Sequence, residues 1–580
     1  MEDIPILTAR INKEKSYLLY NIVILHHTGK FKIPKNDKVK IKEKSKVLQI
    51  HPRDNVLVAL EKLPAGMTIL HNGTGVILKN NIPPKHKFSL QELNPGDEVI
   101  MYGVLVGKAI EKVEEGGLLT TSNLTHASND NYKRTVETVT WNEPDVSALK
   151  GLTFQGYHRS NGQVGTRNYW LFIPMVFCEN NNLKMIREAL LSELGYANEN
   201  DYKSYVRELI HSGSVNGSHG SKNSQVFENI DGIKFLTHEG GCGGTREDSI
   251  VLGKLLAGYA NNPNVAGVTI LSLGCQHLQL KLFTELLRET NPDFDKPILA
   301  FEQQAFHSVD DLIKKTIRKT IEALREANKI ERKPAPLSRL VVGVECGGSD
   351  GFSGISANPT VGRVADYLAV KGGRVILSEF PELFGAEQDL VNRMVTDDLA
   401  DKFTFLMKSY NQKAEAVGSG FDMNPSPGNI RDGLITDAIK SLGAAQKGGR
   451  SPIRDILDYT EQVKEDGLTL LCSPGNDVES TTALVGSGAN LLLFTTGLGT
   501  PTGNPVSPTI KISSNTRLAE SMPDIIDYNS GHIIDGTASL EDAAMELMQT
   551  IIKVASGEIR TKAEMLNQDD FIPWKRGVSL

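Results

Sequence analysis

The chain lacks what a membrane protein, a disulfide-stapled scaffold or a nucleic-acid binder would need. No apolar run approaches the roughly 20 residues required to cross a bilayer. The opening Met1-Glu2-Asp3-Ile4-Pro5 has neither the basic start nor the apolar core of a secretory signal, so the expected compartment is the cytoplasm. Five cysteines in 580 residues cannot form a disulfide framework. Positive charge is not in excess either, the formal net charge being −7, whereas a phosphate binder carries a concentrated basic face. The one dense lysine run, Lys30 to Lys46, reads as a solvated, β-rich appendage. Neither nucleic acid nor membrane is expected as a partner. No repeat of about 20 to 50 residues is visible, which excludes solenoids and propellers. There is also no phosphate loop ending in Gly-Lys-Ser/Thr and no dinucleotide fingerprint.

The remainder is an ordinary globular composition, 39% hydrophobic and 23% charged, on a chain too long for a single core. Residues 1–46 form an N-terminal extension with no usable motif. From Val47 to Ser122 short strands alternate with turns, with one candidate helix over Asn55–Lys62, which describes a small β-rich module. Residues 123–150 are polar and patternless and read as a linker. Beyond it, apolar strands such as Val268–Leu273 and Leu340–Val344 alternate with helical stretches such as Ser308–Ala327. That alternation predicts α/β domains built on mainly parallel sheets. The charged segment ending in Pro334-Ala335-Pro336 divides the rest into 151–335 and 336–580.

Chemistry is expected where these strands end in glycine. His238-Glu239-Gly240-Gly241-Cys242, Gly274-Cys275-Gln276-His277 and Glu345-Cys346-Gly347-Gly348-Ser349-Asp350 each follow an apolar strand. In open α/β sheets that edge binds ligands. Cys242, Cys275 and Cys346 therefore form a candidate metal set, with Cys178 and Cys472 read as core. Thiolate ligands suit iron, an iron–sulfur cluster or zinc, and three of them leave a position open for Lewis-acid chemistry. His238 and His277 are candidate ligands or proton-transfer groups. Four further glycine-rich segments have the character of loops shaped around an anion: Gly156–Asn168, Asn424–Asn429, Ser473–Asp477 and Thr495–Pro501. Arg159 and Arg167 offer bidentate partners for a carboxylate.

His51–Val56, Lys85–Leu90, Gly162–Asn168, Gly274-Cys275, Glu345–Gly351, Asn358-Pro359, Asn424–Asn429, Ser473–Asp477 and Gly499-Thr500-Pro501, in that order, resemble the altronate and galactarate dehydratase family over roughly Val47 to Leu580. Pro381–Glu387 resembles its altronate branch. The resemblance implies a SAF-like module at 47–122, of the type seen in antifreeze-like and flagellar accessory proteins. It also implies a hydro-lyase that converts altronate to 2-keto-3-deoxygluconate and water, with galactarate dehydratase or sulfolactate sulfo-lyase activity as alternatives. A non-enzymatic sugar-acid sensor is the distant alternative. The implied metal is Fe2+, with an iron–sulfur cluster or Mn2+ as alternatives. Such chemistry needs a base for a proton next to a carboxylate and an acid for the departing hydroxide. His238 and then His86 are the candidates for proton transfer, with Glu345 and Asp350 as bases or ligands. Arg159, Arg167, Lys87, Asn168, Ser349, Asn429 and Asn476 are candidates for substrate binding, and His51, His86 and His277 are alternative metal ligands. Use of His51 or His86 requires the module to fold over the strand ends. A sugar acid and a second copy of the chain, as a homodimer, are the expected partners.

Overall fold

Four consecutive buried residues, Val56 to Ala59, form a strand in the computed structural model, not the helix expected over Asn55–Lys62. β-Branched valines favour extended backbone, and the strand is paired on both sides, with Val47–Leu48 and with Lys87–Ser89. The structure describes residues 45–127, 132–136, 139–197, 201–210, 225–421 and 424–576. The N-terminal extension up to residue 44 and Asn129 to Asn131 of the expected linker lie outside them.

The module is β-rich and antiparallel throughout, adding the hairpin Thr68–His71 with Thr74–Ile77 and the sheet of Glu98–Met101, Val104–Ala109 and Leu124–Thr125. The stretch read as a linker thus begins with a strand of the module. Farther on it runs along the helix Glu387–Arg393, where Gln388 Nε2 donates to Lys133 O and the Thr135 N–H to Asn392 Oδ1. The module is not tethered loosely. Val99, Met101 and Val106 share one apolar cluster with Leu434, Ile439 and Leu442 of the C-terminal domain.

Two parallel sheets follow. The central one has four strands in the order Gly232–Phe235, Tyr169–Pro174, Val265–Ser272, Ile298–Glu302. The C-terminal one has seven, in the order Ile453–Leu457, Gly467–Leu471, Arg374–Leu377, Val341–Cys346, Leu491–Thr496, Thr509–Ser513, Tyr528–Asn529. All of its pairings are parallel. Val341–Cys346 comes first in the chain yet lies in the middle, with later strands added to either side. Its carboxyl end is therefore a topological switch point, where the crevice of such a sheet opens. Among the described residues no helix is long and apolar enough to cross a membrane.

The conspicuous arginine loop before Tyr169 serves this architecture. Arg167 donates to both oxygens of Glu564, at 2.7 and 3.0 Å, and to the carbonyls of Thr166 and Val554. Burial alone would raise the Glu564 pKa, but the guanidinium outweighs it and holds the group at about 2. Because the folded-state value is depressed, the stabilisation is complete above the unfolded carboxyl pKa of about 4.3. It is lost as pH falls from there through about 2. Acid unfolding monitored by circular dichroism is expected to lose this dependence over that window in Glu564→Gln, which should also be destabilised at neutral pH by about 3–5 kcal/mol.

Candidate active site

At the switch point the strand carrying Glu345 and Cys346 delivers both into a cluster of buried charge. Lys447, in the short 3-10 helix Gln446–Gly448, donates to Cys346 Sγ at 2.8 Å and to Glu379 Oε2. Burial works against its charge, but Cys346, Glu379 and Glu345 outweigh that and hold its pKa above the ordinary value. The Cys346 thiol is pushed up to about 11, first by burial and then by the charge of Glu379.

Glu345 accepts from Ser480 Oγ and from Ser378 Oγ, the latter at 3.4 Å, while those two hydroxyls pair with each other at 2.8 Å. Burial and then the charge of Glu379 push its pKa well above the usual carboxylate range. Two buried carboxyls that repel in this way do not readily ionise together. Glu345 Oε1 and Glu379 Oε1 have no hydrogen-bond partner among the described residues. Glu379 is also one of six described non-glycine residues in the left-handed region, with φ 66°. Holding a glutamate there costs about 1–3 kcal/mol, of the kind that clusters at functional sites. Asp477, at the start of the helix Asp477–Gly486, is raised to about 6 by burial and by Glu379.

The far end of the same loop meets the N-terminal module. Asp350 is fully buried. One oxygen accepts from Ser514 Oγ at 2.8 Å and Ser353 Oγ at 2.9 Å; the other receives Lys85 Nζ at 2.9 Å and Asn515 Nδ2 at 3.3 Å. Both oxygens are committed, so Asp350 anchors the loop and the module and does not stand free as a base. Lys85, also left-handed with φ 74°, bridges to Asp432 at 3.2 Å as well. Its backbone passes so close that a Cβ on Gly351 would lie 2.7 Å from the Lys85 Cβ, and one on Gly433 2.5 Å from the Lys85 carbonyl oxygen. Lys87 is buried, donates to Gly433 O at 2.6 Å, and is lowered by burial to about 7 despite the opposing charge of Asp350. His86 lies between them, partly exposed, with Nδ1 3.1 Å from Pro84 O.

Other expected participants lie apart from this cluster. The three cysteines do not form one set. Cys242 and Cys275 are exposed at the edge of the central sheet, whereas Cys346 is buried on the other sheet against Lys447. Among the described residues no three His, Cys, Asp or Glu side chains are grouped to hold a metal. The cause is topological: three strand ends carry a cysteine, but they belong to two sheets. Cys472 is buried as expected, whereas Cys178 is exposed in the turn of 3-10 helix after Pro174. His238 is buried, its Nε2 2.8 Å from Pro174 O and its Nδ1 accepting from the Gly240 N–H, so no ring nitrogen is left for proton transfer. Burial lowers its pKa to about 4, leaving it neutral. It borders a cavity of about 300 Å³ with Cys242, Asp248 and Trp574. His277 is exposed, tied to Gly241 O through its backbone N–H, and His51 Nδ1 accepts from the Arg53 N–H on a turn of the module.

Arg159, Arg167 and Asn168 lie at the amino end of the Tyr169–Pro174 strand, the edge opposite to ligand binding in such sheets. Arg159 donates to Pro263 O and to Asn168 Oδ1. Asn168 in turn donates to Asn229 O. Asn429 closes a capping box with Ser426 and donates to the carbonyl of Ser349, and Asn476 caps its helix through the Val478 and Glu479 N–H groups. These three shape the loops of the cluster.

Three family models account for the chain in order. The altronate/galactarate dehydratase SAF domain matches 45–127. The second domain of D-galactarate dehydratase/altronate hydrolase matches 156–328, and the D-galactarate/altronate dehydratase C-terminal domain 337–579. Altronate dehydratase of Bacillus subtilis (strain 168) is 34% identical over 537 residues, covering 92% of this chain and 99% of that protein. The chain belongs to the altronate/galactarate dehydratase family. Altronate dehydratase of Escherichia coli (strain K12) is 33% identical over 539 residues, 92% of this chain and 99% of its own length. Galactarate dehydratase (L-threo-forming) of the same strain is 29% identical over 524 residues, 89% and 93% respectively.

In this member of the dehydratase family, sequence reasoning missed Lys447, Glu379, Glu382, Lys440 and Lys85. Glu379 follows a strand that ends without glycine, and Lys447 follows a helix. The usable signals were Leu377-Ser378-Glu379 at a strand end and an isolated lysine before Gly448-Gly449.

Proposed function

We propose that this chain is a hydro-lyase that removes water from a hexonate, with D-altronate as substrate and 2-keto-3-deoxygluconate as product. The observation carrying this reading is the buried carboxyl of Glu345, its pKa pushed well above the usual range by burial and Glu379, held against the Glu379–Lys447 ion pair at the switch point of the C-terminal sheet. Loss of water across C2 and C3 needs a proton for a poor leaving group, and a buried acid that keeps its proton at neutral pH can supply one. In the proposed reaction Lys87, as the free amine, takes the proton from C2. The C3–O bond breaks as Glu345 protonates the departing hydroxyl, and the enol then ketonises. A lysine lowered to about 7 has a substantial amine fraction near neutrality.

Two measurements test this. Purified full-length protein is offered altronate, galactarate and (2R)-sulfolactate, with keto acid and sulfite as readouts. Keto acid formed fastest from altronate is expected; inertness toward every acid, or release of sulfite, would refute the proposal. The second measurement is the pH profile. Since Lys87 must be deprotonated to act, kcat/KM is expected to rise as pH passes through about 7. In Lys87→Met that limb should disappear, with a loss of about 10²- to 10⁴-fold.

Dependence on Fe2+, an iron–sulfur cluster or Mn2+ is a proposal resting on the family resemblance. The expected thiolate set does not fit it, and no step above passes through a metal. Elemental analysis of anaerobically purified protein against turnover decides it. A cytoplasmic homodimer is the proposed setting, with light scattering after gel filtration as the test of the dimer.

A further inference from the structure

Glu382 has no role in the proton transfers proposed above, yet it is held with care. It lies in the short 3-10 helix Phe380–Leu383 that follows Glu379 and is 8% exposed. Its Oε1 receives Lys440 Nζ and Asn424 Nδ2, both at 2.8 Å, and Lys440 also donates to Asn424 Oδ1 at 2.6 Å. This triangle fixes the carboxylate plane and leaves Oε2 over. Oε2 is buried and has no partner among the described residues. Glu345 and Glu379 each leave one oxygen unpartnered as well, but those two residues are already used in the proposed chemistry. Leaving a buried charged acceptor unmade is costly, which points to a donor that arrives with a ligand. The carboxylate belongs to the site: its charge acts on Cys346 and on Asp477, and Oε1 comes within 3.5 Å of where a Cβ on Gly475 would be, in the loop leading to Asp477.

We propose that Glu382 Oε2 accepts a hydrogen bond from the terminal hydroxyl of a hexonate and thereby discriminates against a hexarate. This rests on the sugar-acid dehydratase reading and goes beyond it by naming the residue that selects the substrate class. An aldonic acid such as altronate ends in CH2OH, whose O–H is the missing donor. An aldaric acid such as galactarate ends in a second carboxylate, which at neutral pH has only lone pairs. Set against Glu382 Oε2 it would leave two buried acceptors facing each other, with Glu379 and Asp477 adding negative charge nearby. A site built to bond a hydroxyl rejects analogues lacking it far more strongly than an apolar pocket rejects a missing methylene.

The test compares kcat/KM for altronate, 6-deoxyaltronate and galactarate in the wild type, and for altronate and galactarate in Glu382→Gln, whose amide can donate as well as accept. In the wild type, loss of the terminal hydroxyl is expected to lower kcat/KM at least about tenfold. In Glu382→Gln the altronate-to-galactarate ratio is expected to fall at least about tenfold. The inference is overturned if 6-deoxyaltronate is used as well as altronate, or if a folded Glu382→Gln keeps the ratio within about twofold of wild type. Should the variant fail to fold, the deoxy analogue decides alone. A wild type inert toward all three acids refutes the dehydratase reading itself and takes this inference with it. An active wild type with unmoved ratios refutes only the role of Glu382.

Discussion

Lys447→Met is expected to abolish turnover and to lower the stability of the protein by about 3–5 kcal/mol, the cost of breaking a buried ion pair from one side. Lys447 is 1% exposed and is the cation paired with Glu379, in a pocket that also holds Glu345, Cys346 and Asp477. Without it, Glu379 must either remain charged without compensation or take up a proton, and its effect on Glu345 changes with it. Denaturant unfolding measures the stability, and the double variant Lys447→Met with Glu379→Gln separates stability from chemistry. Removing both charges should restore most of the lost stability while turnover stays absent. A Lys447→Met protein as stable as wild type would show that the ion pair does not organise this edge of the sheet.

Glu345→Gln should behave in the opposite way. Burial and Glu379 already favour the protonated form of Glu345, so a neutral amide of the same shape is well accommodated, and stability should change by less than about 1 kcal/mol. The amide cannot give up a proton to a leaving hydroxide, so kcat should fall by about 10²- to 10⁴-fold. Thermal melts beside steady-state kinetics check both halves. A marked loss of stability would mean that Glu345 is ionised in the folded protein, and wild-type kcat would remove it from the chemistry.

These residues were unequally legible. Glu345 and Cys346 could be found because apolar Val341–Val344 ends in glycine, a pattern that marks the carboxyl end of a buried strand. Lys87 stood out through its motif, but its lowered pKa comes from burial under Gly433, which no local pattern reports. Lys447, Glu379 and Glu382 gain their meaning only when a 3-10 turn after a helix meets the segment following another strand. The cysteines and His238 were misread for a related reason. A strand-end position was recognisable in sequence, but which of two sheets each strand joins, and which backbone groups occupy an imidazole, are tertiary facts. Arg159 and Arg167 have the composition of an anion loop, yet they precede their strand and lie at its amino edge, where they bind protein carbonyls and Glu564. The β-rich module followed by parallel sheets was legible because short turn-bounded strands, and strands alternating with amphipathic helices, each admit few architectures. The strand at Val56–Ala59 was not, since four apolar residues carry no decisive period.

The close approach of the Lys85 backbone to Gly351 and Gly433 carries a further consequence. Even a methyl group at either position would press on Lys85 and dislodge the lysines that reach Asp350 and Gly433. In a saturation mutational screen for growth on the substrate, both glycines should therefore score as intolerant as a proton donor, although neither has any atom able to take part in a reaction.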